Sequence, residues 1–99
     1  MTYAKRIDAN QSEIVQAFER LGFSVVDLSR VGGGCPDLAI SVHGVTWLVE
    51  VKTAEGTLDP SQIRFHRENK AHIEVCRSLA DVERIAKAMK AEAFGKGVK

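Results

Sequence analysis

Three residues have the types and spacing to hold a cation against a phosphate: Asp37, Glu50 and Lys52. Pro36-Asp37 opens one apolar run, Leu38 to Val42, and Glu50-Val51-Lys52 closes another, Val45 to Lys52. Side chains alternate across a strand, so Glu50 and Lys52 share a face and Val51 points away. If the two runs form a hairpin about His43-Gly44, Asp37 falls beside Glu50 at the end away from the turn. Two carboxylates and the backbone carbonyl of Val51 are hard oxygen donors suited to Mg2+ or Mn2+. Such a cation polarises a phosphate and acidifies a bound water, and Lys52 could orient that water or stabilise charge on the phosphate. A simpler reading stands beside this one: Asp37 shapes a turn, and Lys52 pairs with Glu50. A glutamate within an apolar strand is nonetheless costly unless paired or metal-bound.

These residues need a frame. The spacing of Ile14, Ala17, Phe18 and Leu21 predicts a helix from about Gln11 to Leu21. Asn10 and Glu13 fit a capping box at its start, and Gly22 fits a C-terminal stop. Ser24 to Ser29 reads as a first strand and Gly32-Gly33-Gly34 as a loop. Leu38 to Val42 and Val45 to Lys52 are the next two strands, and the apolar third is expected to be central and covered on both faces. Asp59-Pro60 marks a helix start, with the helix running to about Asn69. His72 to Cys76 is a fourth strand, and Ser78 caps a last helix with Val82, Ile85, Ala86 and Met89 on one stripe. The order αβββαβα makes strands three and four parallel neighbours and the others antiparallel, a mixed sheet flanked by helices. From about residue 91 a flexible basic tail is expected.

The 99 residues suit a single domain. Apolar residues at 44% and charged residues at 27% argue against disorder. No apolar run approaches the roughly 18 residues of a membrane span, and the N-terminal residues lack the apolar core of a signal peptide. A cytoplasmic protein with no membrane partner is expected. Cys35 and Cys76 are too few for a disulfide framework or a paired-cysteine zinc site, and both read as reduced core thiols. Net charge is +1, but residues 1–60 hold five Lys/Arg against eight Asp/Glu, and residues 61–99 hold nine against five. Carboxylates that hold a cation, followed by bases that meet a polyanion, would give this split, as would an unevenly charged solvated surface.

The strings Gly33-Gly34-Cys35-Pro36-Asp37-Leu38, Trp47 to Thr53 and Leu58-Asp59-Pro60-Ser61-Gln62, with Phe65-His66, closely resemble the VRR-NUC (virus-type replication-repair nuclease) family of the PD-(D/E)XK superfamily. The likeness covers about residues 10–85. It implies an α/β, restriction-endonuclease-like αβββαβ core, and a standalone form without the extra domains of large repair enzymes, acting in a bacterial or phage-infected cell. It implies Mg2+- or Mn2+-dependent endonucleolytic hydrolysis of branched DNA, of Holliday-junction or flap type, leaving a 5′-phosphate, by a homodimer. Restriction-type or RNA-processing cleavage, and a non-catalytic DNA-binding module, are the alternatives. By the same resemblance Glu13 contacts the metal or its water, and Gln62 stands beside the catalytic lysine. A capping box, Asn10–Glu13 or Asp59–Gln62, is the rival role of each. Gly33, Gly34, Arg30 and His66 are candidate DNA contacts. His66 shares a helix face with Gln62 and could touch a phosphate, but it reads first as a surface histidine. Trp47, Phe18 and Phe23 read as core, and His43 has no role.

Overall fold

The computed structural model describes residues 10–98, with side chains to residue 95. The N-terminal residues 1–9, on which the absence of a signal sequence was read, lie outside the described residues, as does Lys99. The elements are α1 (Gln11–Arg20), β1 (Ser24–Asp27), β2 (Leu38–Val42), β3 (Val45–Val51), α2 (Pro60–Glu68), β4 (Ile73–Cys76) and α3 (Leu79–Val98). They form one four-stranded sheet in the order β1-β2-β3-β4. The β1–β2 and β2–β3 pairs are antiparallel and β3–β4 is parallel, with α2 in the crossover. Among the described residues no helix is long and apolar enough to cross a membrane.

Alternation in β2 and β3 decides which face is the core. Leu38, Ile40 and Val42 stand with Val45, Trp47, Val49 and Val51 on one face, all buried against α1 and α3. Ile14 and Phe18 from α1 and Val82, Ile85 and Met89 from α3 close over them. Each fully buried side chain of this kind stabilises by roughly 1.5–3 kcal/mol. The opposite face is only partly covered: Thr46 is exposed, Leu48 half-buried, and Glu50 buried. β3 is central, as its composition predicts, but its outer face is closed only at the Glu50 end.

The connections follow local chemistry. His43 (φ +48) and Gly44 (φ +84) both take the positive φ that a two-residue I′ hairpin requires, and Val42 pairs with Val45 around them. α1 ends in a Schellman motif: the Gly22 N–H donates to the Glu19 carbonyl and the Phe23 N–H to that of Phe18. The rings of Phe18 and Phe23 meet edge to face, with centroids 5.5 Å apart. From α3, Lys90 Nζ donates to the freed Leu21 carbonyl at 2.8 Å. At the other end of α1 the expected Asn10–Glu13 capping box is absent. Asn10 already has helical backbone (φ −86, ψ −1) and makes no side-chain cap bond.

α3 starts where Ser78 Oγ accepts the Asp81 N–H at 3.2 Å. It does not stop near residue 91 but continues to Val98. Ala93, one turn past Met89, joins the core and carries the apolar stripe onward. Packing therefore outweighs the unfavourable helix propensity of Gly95 and Gly97.

Candidate active site

The hairpin register sets the site. Leu38 pairs with Val49, so the preceding Asp37 stands opposite Glu50 on the outer face. Asp37 Oδ2 accepts the Val51 N–H at 2.9 Å, which ties the carboxylate to the segment that carries its partner. Glu50 is 2% exposed. Its Oε2 accepts from Gln62 Nε2 at 3.0 Å, and its Oε1 is buried with no hydrogen-bond partner. Burial above all, then the negative charge and hydrogen bonding of Asp37, push the Glu50 carboxyl up to about 8, with Lys52 acting weakly the other way. Lys52 Nζ stands 3.8 Å from Glu50 Oε2, too far for a hydrogen bond. The expected Lys52–Glu50 ion pair is therefore present as a charge contact without a hydrogen bond, and it offsets only part of the burial of Glu50 and the charge of Asp37.

Gln62 performs both roles weighed for it. Its Oε1 accepts the Asp59 N–H at 2.9 Å while Asp59 Oδ1 accepts the Gln62 N–H at 2.9 Å, a complete capping box. Its Nε2 remains free to reach Glu50. The start of α2 is held close by Gly34, at φ +83, where a Cβ would overlap the Ser61 carbonyl. The close approach for which this glycine is needed is thus to α2. Gly33 (φ +66) faces open space. Arg30 is exposed on the same loop, and its charge acts on Asp27. His66, one turn after Gln62, is half-buried rather than on the surface, and its Nε2 is buried without a partner. Burial, then the charge of Lys52, lower its pKa.

Glu13 is exposed on α1. Among the described residues no group of three or more His, Cys, Asp or Glu side chains is arranged to hold a metal ion. Val51 buries its side chain in the core and contributes backbone to the site.

Three features carried no sequence signal. Asn10 Nδ2 donates to the Lys52 carbonyl at 3.3 Å, so the residue expected to cap α1 instead grips the end of β3. Cys35 lies near the carboxylate pair rather than in the core: burial first, then the charges of Glu50 and Asp37, raise its thiol pKa. Arg77 Nη1 donates to the carbonyls of Gly56 at 2.6 Å, Thr53 at 2.7 Å and Ala54 at 3.4 Å, fastening the loop after Lys52. Its place follows from the parallel pairing of Val51 with Cys76, which puts Arg77 level with Lys52.

A buried carboxylate, Glu50, faces the half-buried Asp37 with one oxygen unpartnered, and a lysine and a glutamine stand beside them. On a mixed sheet with a parallel crossover, this is the arrangement of a PD-(D/E)XK-type nuclease. A solved structure described as "VRR_NUC domain" is 36% identical over 78% of this chain and 89% of its own, with a TM-score of 0.65. This chain belongs to the VRR-NUC family. No family model matches the sequence, and neither does any curated protein.

Proposed function

We propose that the chain is a Mg2+- or Mn2+-dependent endonuclease that hydrolyses phosphodiester bonds in branched DNA, of Holliday-junction or flap type, and works in the cytoplasm as a homodimer. One observation carries the catalytic part: a buried Glu50 with an unpartnered Oε1, pressed against Asp37 and only partly compensated by Lys52. Buried charges are normally paired or metal-bound, and two carboxylates with a backbone carbonyl are the hard donors these ions take. Asp37, Glu50 and the Val51 carbonyl would hold the ion, with Glu13 reaching it through water. When bound, it polarises the phosphate and acidifies a water.

The protein's own groups do the rest. Lys52 stabilises negative charge at the phosphate. Gln62 holds Glu50 in one rotamer from the start of α2. Arg30, Gly33, Gly34 and His66 line the approach for the nucleic-acid backbone. Recognition of a four-way junction would require two such sites at a fixed separation, hence a symmetric pair of subunits. Val26 and Ile63 are exposed apolar side chains of the kind that pairing could cover.

The test is cleavage of junction, flap and plain duplex DNA in Mg2+, Mn2+ or EDTA, by wild type and Lys52→Ala. Branched substrates should be cut with either metal, and Lys52→Ala should lose at least about a hundredfold in rate. Equal behaviour of the two proteins on every substrate would remove the catalytic assignment. Cleavage confined to RNA or to duplex would replace the substrate.

A further inference from the structure

Lys52 is a donor without an acceptor, and His66 has a ring nitrogen without a partner. Among the described residues the Lys52 ammonium makes no hydrogen bond, its nearest carboxylate oxygen being 3.8 Å away. His66 Nε2 is one of three buried side-chain nitrogen or oxygen atoms with no partner; the others are on Glu50, which faces Lys52, and Asn10, which binds the Lys52 carbonyl. Buried polar atoms are satisfied in the great majority of cases, and two of the three residues with an exception, Glu50 and Asn10, contact Lys52 directly. His66 lies four residues after Gln62 on α2, and Gln62 already reaches this site.

We propose that His66 is a positioning residue for Lys52: its neutral imidazole, protonated at Nδ1, accepts a hydrogen bond at Nε2 from the Lys52 ammonium and fixes that charge at the scissile phosphate. A Glu50 carboxylate committed to Gln62 and to a cation has little left with which to orient Lys52. His66 Nε2 is an unpartnered acceptor that carries no negative charge, so it can hold the ammonium without quenching it. Burial and the Lys52 charge both keep the ring unprotonated at neutral pH, which leaves the lone pair available. The role rests on the nuclease reading above and extends it from the carboxylates to the lysine.

The experiment uses the full chain as wild type and as His66→Leu, His66→Gln and His66→Asn. A glutamine amide oxygen reaches the position of Nε2; an asparagine is too short and leucine has no acceptor. Two readouts are taken. One is the nitrogen-15 NMR signal of the Lys52 ammonium, assigned with Lys52→Arg. The other is kcat and KM on the DNA that wild type cleaves.

In His66→Leu and His66→Asn the ammonium protons should exchange faster with solvent. In both, kcat should fall about tenfold or more, the worth of one hydrogen bond to a charged group, with KM unchanged. His66→Gln should regain most of both. The proposal is overturned if His66→Leu keeps the signal and kcat, if His66→Gln is as impaired as His66→Leu, or if KM rises with kcat intact, which would leave His66 with a DNA contact alone and no part in holding Lys52. If wild type cleaves nothing, the nuclease reading fails by itself, and the dependence of the Lys52 signal on His66 still decides the pairing.

Discussion

At the scale of single residues, Glu50 is the group whose state controls the site. Its folded pKa, about 8, lies above the ordinary 4.5. A carboxyl raised in this way contributes stability that is fully present below pH 4.5 and is lost as pH rises through about 8, because ionisation in the folded state is penalised. The metal-free protein should therefore lose of the order of a few kcal/mol across that window. Thermal melts in EDTA from pH 5 to pH 9 will show it as a falling midpoint, which Glu50→Gln should flatten. A wild-type profile as flat as that of the variant would mean that Glu50 is already ionised and compensated. Cleavage should respond in the opposite sense: Glu50→Gln removes the charge that a cation needs, so a stabilised protein that does not cut is expected.

Among elements, the contact between the glycine loop and α2 is the joint on which the site depends. Gly34→Ala should cost at least about 2 kcal/mol, because positive φ and overlap with the Ser61 carbonyl act together. Gly33→Ala, with open space around it, should cost about 1 kcal/mol from φ alone. Urea titrations will rank the two, and equal costs would show that the loop does not bear on α2. Gly34→Ala should also lower cleavage by displacing Gln62 from Glu50, whereas Gly33→Ala should not. The glycine loop was legible in the sequence, but its neighbour was not, since no local pattern says which distant backbone comes close. The strands, the His43-Gly44 turn and the Asp59-Pro60 helix start were legible because each is set by neighbouring residues. Asn10 misled for the same reason: its cap propensity is local, and its real partner, Lys52, is 42 residues away. Gly95 and Gly97 misled because burial of Ala93 lies outside local propensity.

For the whole molecule, metal and DNA should both appear as linkage. A ligand that binds only the folded state adds about 2.7 kcal/mol at a hundred times its Kd. Mg2+ or Mn2+ should therefore raise the melting temperature of wild type at pH 8, and that of Asp37→Asn far less. An equal rise in both would place the ion elsewhere. Net charge is only +1, so DNA affinity should come from the local arrangement of basic residues rather than from overall charge. Binding by a cleavage-dead Lys52→Ala protein should weaken steeply as salt increases from about 50 to about 200 mM. A salt-independent affinity would exclude phosphate contacts as its source.

The pairing of Leu38 with Val49 has a consequence for how the chain acquires its structure. The β2–β3 hairpin is the most local pairing in the sheet, and a short loop closes at little entropic cost, which favours its early formation. Yet the same hairpin brings two carboxylates together before α2 can supply Gln62. Electrostatic repulsion thus opposes an early event rather than the finished structure. Refolding should accelerate when that repulsion is lifted, by mild acid or by a divalent cation, and Glu50→Gln should refold at a rate that neither changes. Stopped-flow refolding at pH 5.5 and pH 8, with and without Mg2+, measures this directly, so the chemistry of the site would be readable in the speed of folding.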